Sequence, residues 1–423
     1  MNTVNANPSH VEIVVYQHAD EAAFLWSQRS HFIAAPHITL RQLARHDDRI
    51  AAHIDGLRIA DEAGRKICQA QLITEDPGAM FTAMVMAAEN RDEKRIAELF
   101  ALAESIPAMQ RGLTAAFGWV SSQFLQGTVK ELLTSRSPFR CHVGLASCVM
   151  HQVALGQAHD AVLRSADGML RARALRAIGE LGQRDLMTRC EQHLNEADIA
   201  CRFGAAWSGV LLGDRAAALD VLKSMALIDG PFKDHALQLT LKAVSINEGH
   251  RILKALAADP KNKRTLVKGA GIVGDPFYLP WLIKQMEIPE LARLAGESFS
   301  LVTGLDLSYL GLDRKNAGDV TSGPNDDPND TDVSMDEDEN LPWPHQDNIQ
   351  AWWNANQHRF QNGTRYFMGE PINAECCKKT LRRGFQRQRI AAALHLSLLA
   401  PGTPLFATSA PAWRQQRWLA KMG

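Results

Sequence analysis

The amino-acid sequence predicts an all-α fold: a HEAT-like α-solenoid, followed by an acidic loop and a small C-terminal α(+β) region. Three observations predict it. Apolar residues recur at helical spacing over most of the first 300 positions, without an alternation of strands and helices. Segments of about 30 residues resemble one another. After Leu307 the composition changes sharply to Gly, Pro, Asn and Asp.

Composition sets the broad class of protein. The chain has 423 residues, enough for two or three domains, and 46% of them are hydrophobic. Lys and Arg total 46 against 47 Asp and Glu, so no global positive charge suggests direct nucleic-acid binding. No apolar run approaches the roughly 18–20 residues that span a bilayer, and the N-terminus lacks the features of a secretory signal. We therefore expect a cytoplasmic protein without a membrane segment.

The seven cysteines form an odd set without a C-x-x-C pair. This pattern is typical of reduced thiols and predicts neither a disulfide framework nor a zinc site. The sequence also lacks a G-x-S-x-G, an H-E-x-x-H and a P-loop motif. It therefore predicts no catalytic constellation and no cofactor, and the calcium loop considered below is the one metal site that stays open.

Residues 1–78 are predicted to form an N-terminal helical region. Thr39 and Gln42 have the spacing of a capping box. Five apolar residues after it share one helical face: Leu40, Leu43, Ile50, Ile54 and Leu57. Asp47 falls in the same apolar stripe, which predicts a break in the helix near the sequence HDD.

Residues 79–307 are predicted to form HEAT-like helical repeats. Three segments combine a small-residue-rich helical pattern, a glycine, a polar turn and a second apolar pattern: RARALRAIGELGQRDLMTRCEQHL (171–194), RFGAAWSGVLLGDRAAALDVLKSM (202–225) and RTLVKGAGIVGDPFYLPWLIKQM (264–286). The equivalent glycines, with Gly304 as a further candidate, are Gly182, Gly213 and Gly274. They are 31, 61 and 30 residues apart, and the longest step has room for a divergent repeat at 235–256. Two helices in about 30 residues are typical of an α-solenoid.

The segment GAGIVGD (269–275) matches the G-x-G-x-x-G fingerprint of a dinucleotide-binding turn. Such a turn needs a buried strand before it and a smooth helix after it. The preceding KNKRTLVK is cationic, and Pro276 and Pro280 interrupt the helical pattern after Gly274. We therefore expect GAGIVGD to end the first helix of a repeat, with small residues that let helices approach closely. Three aspartates are predicted to N-cap the second helices: Asp185, Asp214 and Asp275.

Residues 308–344 are predicted to form an acidic Pro/Asp-rich linker loop. Ten acids and no Lys or Arg lie between positions 316 and 358. The predicted partner-binding residues are the acids of the densest part: Asp326, Asp327, Asp330, Asp332, Asp336, Glu337, Asp338 and Glu339. Three interpretations remain open: a solvated loop, a docking surface for a cationic partner, and a calcium loop, although that pattern lacks its central Gly and its final Glu.

Residues 345–423 are predicted to form a small, Trp-rich, basic C-terminal region. NIQAWWNANQHRF resembles an amphipathic helix, and NGTRYFMGEPI suggests a turn with a short strand or extended segment. Residues 373–423 hold nine Lys or Arg and one acid. The basic residues around Arg382, Arg383, Arg387 and Arg389 could instead neutralise the acidic loop within the same molecule. Most of the five tryptophans near the C-terminus are expected to pack in the core of this region, and tryptophans are also common anchors at interfaces.

Five strings resemble a bacterial family of HEAT-like repeat proteins that is often encoded among type VI secretion genes. They are HADEAAFLW (18–26), HDDRIAAHIDGL (46–57), ESFSLVTGLDL (297–307), DENLPWP (338–344) and NGTRYFMGEPI (362–372). The chain is also similar to TsiT-type immunity proteins. This resemblance implies a non-enzymatic cytosolic protein that binds a cognate effector toxin and neutralises it by occlusion. An adaptor or chaperone that loads an effector is the alternative, and a nucleotide-binding enzyme acting through Gly269–Gly274 is a third hypothesis.

Overall fold

The computed structural model describes residues 11–156, 158–314 and 335–423. Of these residues 71% are helical, and the described residues contain one small two-stranded sheet. These observations confirm the predicted all-α, solenoid-like fold. None of the helices in the described ranges is both long enough and apolar enough to cross a bilayer.

The chain forms two compact units that cut across the four predicted regions. Unit 1 combines the residues up to Leu186 with Pro404–Gly423, and unit 2 is Met187–Thr403. The predicted C-terminal region is therefore divided between the units. Trp353 packs against Phe360 in unit 2, with ring centroids 5.6 Å apart, whereas Trp418 packs against Phe406 in unit 1 at 5.8 Å.

Unit 1 consists of eleven of the described helices, which are α1 (Glu12–Phe32), α2 (Leu40–Ile59), α3 (Glu62–Gln71), α4 (Pro77–Glu89), α5 (Glu93–Ser105), α6 (Gln110–Trp119), α7 (Thr128–Leu133), α8 (Pro138–Met150), α9 (Ala158–Leu163), α10 (Gly168–Glu180) and α22 (Ala412–Lys421). Its core contains stacked Trp26 and Phe81 rings, 5.2 Å apart. The C-terminal segment is anchored by Arg414, whose guanidinium donates hydrogen bonds to the carbonyls of Gly118 and Val120 at the end of α6.

Helix α2 confirms the capping box and the apolar stripe, but it has no break at Asp47. The Thr39 hydroxyl accepts from the Gln42 backbone N–H, and the Gln42 side chain accepts from the Thr39 N–H. The Asp47 carboxylate is buried and pairs with Arg29 of α1 at 2.6 Å. It also accepts the backbone N–H of Ala412 at 2.7 Å. The predicted break was wrong because these partners satisfy the carboxylate, so the helix continues through it.

The α-helices and strands of unit 2 are α11 (Met187–Gln192), α12 (Ile199–Leu212), α13 (Ala217–Leu227), α14 (Lys233–Ala243), α15 (Ile246–Leu256), α16 (Lys263–Val273), α17 (Leu279–Gln285), α18 (Pro289–Thr303), α19 (Gln346–Asn356), α20 (Ala374–Arg383), α21 (Gln386–Leu399) and the strands β1 (Tyr366–Phe367) and β2 (Glu370–Pro371). Helix α19 falls where the amphipathic pattern predicts it. The pairs α12–α13, α14–α15 and α16–α17 follow the predicted repeats, including the divergent one.

The predicted glycine turns are confirmed. Gly213, Gly274 and Gly304 end α12, α16 and α18 in the left-handed conformation, with φ of 112°, 72° and 74°, which only glycine adopts without strain. Asp214 accepts backbone N–H groups at the start of α13, as predicted. Asp275 instead caps the 3-10 helix before α17, and Asp185 lies within a 3-10 helix.

The segment GAGIVGD is the C-terminal half of helix α16 and its terminal turn, as predicted. A Cβ atom added at Gly271 would lie 2.9 Å from the Ser298 Cα atom of α18. At Gly269 it would lie 2.5 Å from a Leu253 methyl group. The glycines therefore serve close helix packing, and their helical backbone does not form the loop that cradles a pyrophosphate.

The NGTRYFMGEPI segment forms an antiparallel hairpin, with Tyr366 opposite Pro371, which confirms the predicted turn and strand. It closes the C-terminal ends of three repeat helices. The Arg365 guanidinium donates to carbonyls at the ends of α14 and α16. The backbone N–H groups of Met368 and Gly369 donate to Leu301 and Val302 of α18, at 2.7 and 3.0 Å. Carbonyls that a helix leaves without partners are thereby satisfied.

Candidate partner-binding groove

Only part of the predicted acidic site lies in the described chain. Asp326, Asp327, Asp330 and Asp332 fall outside the described residues. The other four acids, Asp336, Glu337, Asp338 and Glu339, lie beside α16 and α18, and the first three form ion pairs with these helices.

Two of these acids are largely withdrawn from solvent. The Asp338 carboxylate accepts two hydrogen bonds from the Arg264 guanidinium, both of 2.9 Å, and its side chain is 6% exposed. Asp336 pairs with Arg293 at 2.6 Å. The Arg293 guanidinium also lies over the Trp343 ring, 4.7 Å from its centroid. Asp336 and Asp338, the second of which is the first residue of the DENLPWP string, therefore fasten this segment to α18 and α16.

Glu337 and Glu339 are more exposed. Glu337 lies 3.4 Å from both Arg264 and Lys268, and Lys268, followed by Arg264, lowers the pKa of its carboxyl group against the opposing effect of desolvation. Glu339 is exposed. Unlike the other three described acids, it forms no ion pair within the described ranges.

These contacts favour neutralisation of Asp336, Glu337 and Asp338 within the same molecule. Most of the cations that pair with them belong to α16 and α18, and not to the basic C-terminal residues that were predicted to do so. Arg387 contributes a hydrogen bond to the Glu337 carbonyl at 2.8 Å and an ion pair with Glu297 at 3.1 Å. Arg389 is fully buried and donates instead to the Leu381 carbonyl at 2.7 Å. Docking of a cationic partner on the complete acidic set stays a prediction.

A second surface of unit 2 is a cleft of about 870 Å³ formed by α15, α16 and α17. Leu266 and Ala270 of α16 line it between Leu253 and Ala257 on the α15 side and Trp281 of α17. We call this cleft the groove. Its apolar lining can exclude water from a bound molecule. Removal of apolar surface from water is the main source of affinity at such surfaces.

Three clustered rings form an aromatic side of the groove. The ring centroids of His250, Phe277 and Tyr278 lie 5.0–5.3 Å apart. The buried Asp275 carboxylate holds this cluster, because it accepts hydrogen bonds from His250 Nε2, the Phe277 N–H and the Gly363 N–H, each 3.0 Å long. Burial, with a smaller effect from Asp275, raises the pKa of Tyr278 to about 12. The phenol is therefore neutral at physiological pH, and 57% of Phe277 is exposed.

The rim of the groove is cationic. Each of its three helices contributes a lysine with an exposed side chain: Lys254, Lys263 and Lys284. Within the described ranges of the chain, none of the three forms an ion pair. Asp259 is the one acid that lines the groove, and its carboxylate accepts the Lys261 backbone N–H at 3.0 Å. The rim therefore favours an anionic binding partner.

The groove is not evident from the sequence. The segment DPFYLPWLIK predicts the second helix of a repeat, yet it has more large apolar residues than one buried face of a helix can hold. Leu279, Leu282 and Ile283 are fully buried, whereas Phe277 is exposed and Trp281 is half-buried. This excess of large apolar residues was the available signal, since it indicates a second apolar face.

A third feature is a cavity of about 410 Å³ beside the paired acids, lined in part by Lys242 and Glu297. The Lys242 amine is buried, and burial, followed by repulsion from Arg365, lowers its pKa to about 7. Burial raises the pKa of Glu297 even though Arg387 opposes this effect. These groups titrate abnormally because they are packed inside unit 2, and we treat them as structural.

Of the three features, the groove has the chemistry of a recognition site: large apolar contacts, a cluster of rings fixed by hydrogen bonds, and charges that lack a partner in the described chain. No family model matches this chain, and neither a curated protein nor a solved structure matches it.

Proposed function

We propose that this chain is an immunity protein that binds a cognate type VI secretion toxin in the cytoplasm and neutralises it by occlusion. The observation that carries the binding role is the groove, with its exposed Phe277 and its three lysines that form no ion pair in the described chain. Contiguous exposed apolar surfaces with a polar rim mark sites of interaction. Helical repeats use such surfaces to hold protein partners.

The identity of the partner rests on the resemblance of five strings to the secretion-associated family. Several of these strings have structural roles in unit 2. Arg365, Met368 and Gly369 close helix ends, and Asp338 fastens the chain to Arg264 of α16. The strings therefore support a shared fold, and the groove supplies the surface on which a partner can bind.

Co-expression with the protein encoded by the adjacent gene tests the proposal. We expect the wild-type chain to protect cells from that protein when it is produced in the cytoplasm, and the two to co-elute in size-exclusion chromatography. Phe277→Asp places a charge in the apolar groove and should abolish both results. Tyr309→Asp is the matched control, because Tyr309 is an 85% exposed aromatic residue of unit 2 outside the groove.

Each outcome identifies a role. Survival that depends on Phe277 but not on Tyr309 supports immunity through the groove. Co-elution with altered secretion and without survival indicates the adaptor role. If the two proteins neither co-elute nor affect survival, the proposal is wrong.

A further inference from the structure

We infer that the groove binds an acidic, amphipathic α-helix presented by the protein partner. This inference rests on the proposed function, since it names the element of the partner that this chain recognises. Three properties of the groove carry it: the spacing of the lining residues, the small residues in its lining and the charge of its rim.

The lining residues follow helical spacing on two sides. His250, Leu253 and Ala257 mark one stripe along α15, and Trp281 with Lys284 marks another along α17. A stripe of seven residues covers about 10 Å at 1.5 Å per residue, which is two helical turns. A helix laid between α15 and α17 could therefore place its residues i, i+3, i+4 and i+7 against both stripes, as amphipathic helices do in hydrophobic grooves.

The groove also allows a close approach. Ala257 and Ala270 have small side chains that project little from α15 and α16. Large side chains therefore do not hold a bound partner helix away from these two helices at this point. Helices pack with axes about 8–10 Å apart, and small side chains permit the shorter distances. Leu253 and Leu266 complete an aliphatic lining. This lining fits Leu, Ile or Met side chains better than it fits phosphate groups.

The lysines at the rim determine which charge a bound helix should carry on its flanks. Lys254, Lys263 and Lys284 come from three different helices, against the single carboxylate of Asp259. An apolar helix with Glu or Asp on its flanks would pair with these lysines. A helix with basic flanks would meet three like charges. Charge of this kind favours one class of partner by repelling the other, and it accelerates association.

Synthetic peptides test the inference without the natural partner. The probe is a fluorescein-labelled helical peptide of about 14 residues, near the minimum for a stable isolated helix, with Leu at helical spacing and Glu on both flanks. A second peptide has Lys in place of every Glu. We expect saturable binding of the acidic peptide by fluorescence anisotropy, with an affinity at least about tenfold higher than that of the basic peptide at low salt.

Charge reversal in the protein should reverse this preference. The combined variant Lys254→Glu, Lys263→Glu and Lys284→Glu should lose the acidic peptide and gain the basic one. Exposed lysines are replaced, so the fold should persist, and circular dichroism checks it.

The control variant carries the same change of charge outside the groove: Lys94→Glu, Lys130→Glu and Lys421→Glu. These lysines are exposed residues of unit 1, and both peptides should bind the control as they bind the wild type.

Several results would overturn the inference. They are equal affinity for the two peptides, an unchanged preference in the groove variant, or binding of dodecanoate or single-stranded DNA in the groove without binding of the acidic peptide. A dimer that the groove variant dissociates would also do so, because a second copy of the chain would then occupy the groove.

The inference and the proposed function can fail separately. If the adjacent gene product binds and is neutralised equally well by the charge-reversed variant, immunity stands and the acidic helix does not. If the acidic peptide binds as expected but no toxin is neutralised, the groove is assigned and the immunity role is wrong.

Discussion

At the scale of single residues, buried cations of unit 2 differ in what surrounds them. Arg365 donates hydrogen bonds to the carbonyls of Lys242, Val244 and Val273, so its burial is compensated by helix ends that need donors. The Lys242 amine, by contrast, has neither an ion pair nor a hydrogen-bond acceptor among the described residues, and the buried His395 lies near it. A buried ammonium without a partner opposes folding.

Replacing Lys242 by Met should stabilise the protein in a pH-dependent way. The pKa of Lys242 is about 7 in the folded chain, against an ordinary value of 10.5. Below about pH 7 the amine is charged in both the folded and the unfolded chain, so the full free-energy cost of burying the charge opposes folding. Between pH 7 and 10.5 only the unfolded chain takes up the proton, and this cost declines as the pH rises.

Urea unfolding at about pH 6 and about pH 10 measures the effect. Since one pKa unit corresponds to about 1.4 kcal/mol, we expect Lys242→Met to raise the free energy of unfolding by a few kcal/mol at the lower pH and by much less at the higher. Lys94→Met removes an exposed charge and should change stability by less than about 0.5 kcal/mol. A destabilised Lys242→Met variant at pH 6 would show that the amine has a stabilising partner.

At the scale of elements, the contact between α16 and α18 explains why GAGIVGD contains glycines: they allow the two helices to pack closely. Gly271→Leu would drive a side chain into the Ser298 backbone, and overpacking of this kind typically costs about 1–3 kcal/mol. The melting temperature should therefore fall. Gly230→Leu is the control, since a Cβ atom there meets nothing within 4 Å. Saturable NADH binding that Gly271→Leu abolishes without unfolding would instead restore the dinucleotide hypothesis.

Structural elements that depend on residues close to one another in the chain could be predicted from the sequence. The Thr39 capping box and the turns at Gly213, Gly274 and Gly304 depend on neighbouring residues, so periodicity and turn chemistry revealed them. The break predicted at Asp47 failed because Arg29 and Ala412 lie 18 and 365 positions away. Partners at such distances leave no mark in a single sequence.

The groove could not be predicted for the same reason, because it depends on residues that are distant in the sequence. Phe277 and Trp281 resemble core residues in the sequence, and only the arrangement of α15, α16 and α17 shows which face is left open. The acidic residues were conspicuous as a run of like charges. Their cations, Arg264 and Arg293, were hidden among the repeats, 74 and 43 positions from Asp338 and Asp336.

At the scale of the whole molecule, the main question is where the negative charge of the acidic segment is neutralised. The chain is nearly neutral, with a formal charge of −1, so its ten clustered acids are balanced elsewhere in the same molecule. Three of the four described acids of the predicted site already have cationic partners in unit 2. A cationic partner protein would have to compete with these pairs.

Replacement of the two paired aspartates distinguishes neutralisation within the molecule from docking of a cationic partner. Asp336→Asn with Asp338→Asn would remove the carboxylate that pairs with Arg293 and would leave the exposed Glu337 as the carboxylate that pairs with Arg264, so we expect the free energy of unfolding to fall by about 1–3 kcal/mol. Glu339→Gln is the control: this residue is exposed, and its replacement should leave stability unchanged. Urea unfolding measures the stability, and stopped-flow mixing with the partner protein measures association. If the acids form a docking surface instead, the double variant should associate more slowly, with a weaker salt dependence, and unfold as the wild type does. Lower stability with unchanged association is the result we expect, because two of these carboxylates are already held by arginines and the groove offers a partner the opposite charge.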